Sequence, residues 1–282
     1  MYKTRTLSAT ALAFGLLLPV AGHAQETPPV PHFSVGAKVW NASWLSYMPA
    51  TYTGANAAGQ PALADVIDSV EGSRRTSVLP LLAVRYGKFI ASASYGRFKS
   101  DFSLLSSPVA TPAGTVISTR SDHFARRESD VTLGYFVLPQ VALTLGYKHA
   151  REVRDTSLGI APQRRPFLNN EADGVLLGAV ASFPIEGALS FYAQGAYGPA
   201  RIKTRSADDS IAPIDAHGRY LIGEVGLSYP ILLDRAGLRA VSAAIGYRTQ
   251  TVKTASIGTI YGEERDLRDV RDGLVLSLNL TF

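Results

Sequence analysis

Apolar and polar residues alternate with period two through most of the chain, in short runs separated by turn-forming residues. The last run is the clearest. From Gly273 to Phe282, Leu274, Leu276, Leu278, Leu280 and Phe282 share one face of an extended strand, while Val275, Ser277, Asn279 and Thr281 share the other. Working backward, the same arithmetic predicts strands over 241–247 and 221–229, 189–197 and 175–183, 141–148 and 126–137, 89–97 and 77–86, and a first strand around 33–40. In that first strand Phe33, Val35, Ala37 and Val39 oppose Lys38 and Trp40. The second strand alone has two candidate faces: Val78, Pro80, Leu82 and Val84 compete with Leu79, Leu81 and Ala83, which leaves the direction of Arg85 open.

The connections carry more information than any one strand. Links around Gly87, Pro139, Pro184 and Pro230 are short, about two to eight residues, whereas those near 48–73, 99–122, 152–171, 199–217 and 252–268 are about 17 to 26. Strict alternation of short and long links over ten strands predicts an all-β, closed antiparallel transmembrane β-barrel, with eight or twelve strands as alternatives, short periplasmic turns and long extracellular loops. A soluble β-sandwich also alternates along each strand, but five long structureless loops count against a compact soluble domain. Rings at Tyr86, Phe89, Tyr95, Phe183, Phe191, Tyr197, Tyr229 and Tyr247 fall close to the predicted strand ends, where headgroups would meet them.

The C-terminal run resembles the closing strand of Gram-negative outer-membrane β-barrels. In that class the terminal aromatic belongs to the signal read by the outer-membrane assembly machinery. The resemblance implies that Leu276, Leu278, Leu280 and Phe282 form such an assembly signal, and that both termini face the periplasm. It also implies periplasmic chaperones and the assembly machinery as partners during biogenesis, and outer-membrane lipids and lipopolysaccharide as lasting surroundings.

At the other end, Lys3 and Arg5 precede the largely apolar stretch Leu7 to Ala21, and Gly22-His23-Ala24 places small residues before Gln25. This predicts a secretory signal peptide over 1–24, cleaved after Ala24, and a barrel domain over 25–282. The apolar stretch is shorter than the roughly 20 residues of a spanning helix. Losing Lys3 and Arg5 lowers the formal charge from +5 to +3, which gives no argument for nucleic acid as a partner. With no cysteine there is neither a disulfide framework nor a thiolate metal site.

Following the alternation inward assigns Lys38, Trp40, Glu128, Asp130, Lys148, Tyr192, Gln194, Glu224 and Arg248 to the lumen, among small residues such as Gly146, Gly178 and Gly246. Lys38, Glu128, Asp130, Lys148, Glu224 and Arg248 carry both signs. They are expected either to pair across a narrow bore as a plug or to line a thin aqueous path. No Gly-x-Ser-x-Gly, His-Glu-x-x-His or phosphate-cradling glycine loop is present, so no enzymatic activity, cofactor or metal is expected. Asp215-Ala216-His217 resembles the Asp-x-His element of omptins, ten-stranded outer-membrane proteases whose histidine activates water at the extracellular rim. The aspartate pair that omptins add is missing, although Asp101 and Asp122 beside His123 lie in the corresponding region. The function expected is thus structural, surface-binding or that of a narrow pore, with protease and loop-borne adhesin as alternatives. Arg164, Arg165, Arg201, Lys203 and Arg205 are candidates for contact with lipopolysaccharide phosphates.

Overall fold

The computed structural model describes residues 30–55, 61–111, 114–158, 161–206, 213–235, 237–254 and 267–282. The expected signal peptide lies outside them.

Ten antiparallel strands close into one barrel: β1 (His32–Ala55), β2 (Pro61–Tyr86), β3 (Phe89–Thr111), β4 (Gly114–Leu138), β5 (Val141–Leu158), β6 (Ala161–Glu186), β7 (Leu189–Ser206), β8 (Ile214–Arg235), β9 (Leu238–Thr254) and β10 (Leu267–Thr281). Each strand pairs with its neighbour in sequence. Closure comes from β10 against β1, running from Ser34 opposite Thr281 to Ser46 opposite Asp269. Beyond that ladder the Phe282 amide donates to Phe33 O at 2.8 Å, so the terminal aromatic is tied to the start of the first strand.

At one end the hairpins at 87–88, 139–140 and 187–188 turn in two residues each, and Gly237 leads into β9. Gly87, Gly187 and Gly237 adopt φ of 57°, 57° and 84°, the left-handed backbone that tight hairpins require and that costs glycine nothing. Pro184 and Pro230 sit at register shifts just before their turns, where a missing N–H breaks no ladder bond.

The opposite end differs from the expected long loops. Segments read as connections are largely paired strand: β1 and β2 pair as far as Ala55 opposite Pro61, past a register shift between Ala42 and Trp44, and β3 and β4 as far as Thr111 opposite Gly114, past one between Leu104 and Ser107. Polar side chains occur on both faces here, buried inward at Ser100, Asp122 and Glu152 and outward at Asp101, so the sequence loses its apolar–polar alternation. Main-chain pairing needs no apolar face, and the ladder simply continues. Tyr95, Tyr147, Tyr197 and Tyr247 consequently lie within their strands, at one border of an apolar belt, while Tyr86 and Phe89 stand at the ends of β2 and β3 as expected.

Facing follows the alternation. Val39, Leu133, Leu145, Leu177, Leu221, Ile245 and Leu276 are exposed on the outer face, while Lys38, Trp40, Phe136, Lys148, Tyr192 and Glu224 are buried within. The open question of β2 is settled: Val78 and Leu82 point outward at 58% and 59% exposure, and Leu79, Leu81 and Ala83 are buried. Leu79 packs in one cluster with Trp40 and Phe98, which fixes that face inward. Arg85 sits over the Phe136 ring, 4.4 Å from its centroid, and Phe136 is a lumen residue.

The wall has one short seam. β2 pairs with β3 only from Leu81–Ser94 to Tyr86–Phe89. The ladder stops where Pro80 offers no N–H. Above it side chains bridge the strands: Ser100 Oγ donates to Ser73 O at 3.0 Å, the Asp101 amide donates to Ser73 Oγ at 3.1 Å, and Arg75 meets Asp101 at 2.8 Å.

Candidate functional site

Inward positions of β1, β3, β4, β5 and β7 to β10 supply a network of polar groups in the lumen, and two carboxylates organise it. Glu224 on β8 accepts from Lys38 Nζ at 2.6 and 2.7 Å, Gln194 Nε2 at 2.7 Å, Arg248 Nη1 at 3.0 Å and Tyr192 Oη at 3.1 Å. Its donors come from β1, β7 and β9, so the cluster spans the bore. The Tyr192 ring reaches Glu224 because position 246 is glycine: a Cβ there would stand 2.5 Å from Tyr192 Oη.

The second hub is Glu128 on β4. It accepts from Arg126 Nε at 2.6 Å and Gln250 Nε2 at 3.0 Å, lies 2.7 Å from Lys148 Nζ, and contacts Arg271 Nη2. Lys148 also donates to Asp130 at 2.7 Å, and Asp130 accepts from Ser94 Oγ at 3.2 Å. Arg126 continues the network to Tyr220 Oη at 3.2 Å and Glu152 at 3.4 Å. Arg154 then bridges Glu152 to Asp269, which accepts from Ser46.

Aromatic rings close the space between the charges. Trp40 packs edge-on to Phe98 at 5.5 Å, and Trp44 packs similarly on Phe124 at 5.5 Å. The Arg271 guanidinium lies 4.2 Å from the Phe98 centroid and 5.3 Å from that of Trp44. A cation held between ring faces while bonded to a carboxylate is both desolvated and compensated. Toward the short turns a cavity of about 80 Å³ remains, bounded by Phe136, Val180, Thr144 and Gln194 with Asp130 and Arg248 at its polar side. That is room for several waters, and Asp130, Gln194 and Arg248 of the two charged clusters line it.

All six charged residues assigned to the lumen from sequence therefore stand in these two clusters: Lys38, Glu224 and Arg248 in one, Glu128, Asp130 and Lys148 in the other. Arg126, Glu152, Arg154, Gln250, Asp269 and Arg271 escaped that reading because they lie in or beside segments taken for loops. Leu276, Leu278, Leu280 and Phe282 occupy the outer face, away from the lumen.

The Asp215–His217 element does not assemble a protease site. Both side chains point outward from β8, and the Asp215 carboxylate accepts from Arg201 Nε at 2.9 and 3.1 Å. That pairing with Arg201 holds its pKa below the usual carboxylate range, and the carboxylate is not used to orient His217. Another acid–histidine contact does form on the outer face, between Asp101 and His123.

No family model matches the chain, and no curated protein does. Among solved structures it is similar to the P. putida toluene transporter TodX, at 9% identity over 90% of each chain with a TM-score of 0.34. A Pseudomonas aeruginosa FadL homologue is similar at 9% identity over 89% of this chain and 90% of that one, with a TM-score of 0.32. The Ralstonia pickettii toluene transporter TbuX is similar at 10% identity over 91% and 90%, with a TM-score of 0.27. Likeness at this level carries no argument about substrate or route.

Proposed function

We propose that the protein is an outer-membrane barrel whose lumen is closed at rest and which acts through its outer and cell-surface faces. The filled lumen carries this reading: Glu128 and Glu224 gather cations from strands on both sides of the bore, and a cavity of about 80 Å³ lies beside them. Placement in a membrane is supported by the continuous outer belt of exposed Val, Leu and Ile, far larger than the few hundred Å² of apolar patch a soluble monomer tolerates. The short turns and both chain ends then face the periplasm, with Phe282 presented outward to the assembly machinery and its chaperones. Recorded in planar bilayers, the wild type is expected to be electrically silent. A steady ion-selective current would reject the closed lumen and restore the narrow pore.

The outer face supports one specific contact. Arg97 on β3 is directly opposite Arg127 on β4, which is directly opposite Arg151 on β5, and all three are exposed. Like charges in register on neighbouring strands repel, and the row stands just above Tyr95 and Tyr147 at the upper border of the belt. Bridging phosphates offset that repulsion, and guanidinium forks match their geometry. Lipopolysaccharide is therefore the partner at this row. Arg127→Ala with Arg151→Ala should lower co-purified lipopolysaccharide several-fold without changing the heat-dependent gel mobility of the folded barrel. Unchanged co-purification would remove the row from the interface.

A further inference from the structure

Higher on the same outer face, three residues with no sequence motif between them stand side by side. Asp101 on β3 is directly opposite His123 on β4, His123 is opposite Asp155 on β5, and Ser157 lies two residues further along β5. Asp101 Oδ1 is 2.6 Å from His123 Nδ1, and His123 Nε2 is 3.3 Å from Ser157 Oγ. The other Asp101 oxygen accepts from Arg75 at 2.8 Å. The imidazole is 18% exposed and Asp101 44%, so the ring is held while its neighbours stay accessible to water. The bond from His123, reinforced by Arg75, keeps the Asp101 carboxyl below its ordinary pKa and hence anionic at neutral pH.

This is the arrangement in which a carboxylate fixes the Nδ1–H tautomer and leaves the Nε2 lone pair facing a hydroxyl. We propose that Ser157, His123 and Asp101 are nucleophile, general base and orienting acid of a site that hydrolyses carboxylic esters. Ser157 Oγ attacks the ester carbonyl as its proton passes to His123 Nε2. The bond from carbonyl carbon to the alcohol oxygen breaks while His123 returns the proton to that oxygen. Water then attacks the acyl-serine, giving a proton to His123, and the Ser157 bond breaks as His123 reprotonates Oγ and the carboxylic acid leaves.

Position selects the substrate class. His123 lies four residues beyond Arg127, roughly 13 Å further along the strand from the membrane. On the outer-membrane reading above, this height is above the phosphates and among sugars. Asp155 beside the base disfavours an anionic acyl group, and the outward neighbours Ala125 and Val153 supply little apolar surface for a fatty chain. The class is therefore short-chain O-acyl esters of surface carbohydrate. A shallow, wet site gives weak electrostatic help to the oxyanion, so turnover is expected to be slow and covalent trapping the more sensitive readout.

The test uses the full mature chain folded in detergent micelles, with folding verified by its heat-dependent gel mobility. A fluorophosphonate probe should label the wild type at Ser157. Ser157→Ala should abolish labelling, His123→Gln should slow it roughly a hundredfold, and Ser129→Ala, an exposed serine lower on the same face, should leave it unchanged. A folded wild type that stays unlabelled, or labelling that survives Ser157→Ala, overturns the triad whatever membrane the protein occupies. Acetate release from O-acetylated lipopolysaccharide would support the substrate class. Fatty-acid release from phospholipid vesicles in its place would overturn that class, and the height argument behind it, while the labelling result still stands.

Discussion

Glu128→Ala should lower the stability of the folded barrel by roughly 3–5 kcal/mol, the usual cost of removing one partner from a buried ion pair. The substitution deletes the carboxylate on which Arg126, Lys148, Gln250 and Arg271 converge, and Glu128 itself is 3% exposed. Lys148 keeps Asp130, and Arg126 keeps Glu152 and Tyr220. Arg271 is left with ring faces and no carboxylate. The check is urea unfolding in micelles or vesicles, where the midpoint should fall with little change in slope. Asp215→Ala, which breaks an equally short but solvent-exposed contact with Arg201, should leave the midpoint where it was. If Glu128→Ala unfolds with the wild type, the hub is not organising the lumen. The same variant should also admit ions, since deleting the buried carboxylate frees volume within the charged network.

That network shows how far a sequence can be read inward. Facing is a local property with period two, so the lumen positions of Lys38, Glu128, Asp130, Lys148, Glu224 and Arg248 were legible from their strand neighbours alone. Pairing is not local: Lys38 and Glu224 are 186 residues apart, and only the closed ladder brings β1 across from β8. Legibility failed first where the two faces of a strand carry side chains of similar polarity. In the hairpin extensions charged side chains point into the lumen as well as outward, so the inward-facing Arg126, Glu152 and Arg154 carry no apolar–polar alternation, and the segment around Glu152 and Arg154 reads as a loop. In the lower part of β2 both faces are apolar, one toward lipid and one toward Trp40 and Phe98, and Val78 and Leu79 were interchangeable on hydrophobicity. The Asp101–His123–Ser157 contact was illegible for the first reason compounded by the second requirement: three strands had to be placed in register before any of its residues became neighbours. Asp101 and His123 stood out in the sequence only because both fell in the region where an omptin carries its aspartates, and Ser157 did not stand out at all.

Leu276→Arg should destabilise the barrel in lipid vesicles by roughly 2–4 kcal/mol, the cost of an arginine on the lipid face near the bilayer midplane. Leu276 lies opposite Val39 on β1 and Ile245 on β9, both outward and exposed, with Leu274 and Leu278 above and below it on β10. No charged residue of that row is available to pair with the new guanidinium, and its backbone groups are already bonded in the ladder. The opposite outcome is expected of a soluble barrel: an exposed leucine changed to arginine would shift stability by no more than about 0.5 kcal/mol and would improve solubility. The sign and size of this one shift therefore separate the two media. Leu276→Ala serves as the control for lost side-chain packing, and its smaller effect should leave most of the arginine penalty unexplained by truncation. Equal midpoints for Leu276→Arg and wild type in vesicles would remove lipid from the outer face, and with it the reading of the terminal leucine ladder as a membrane stave.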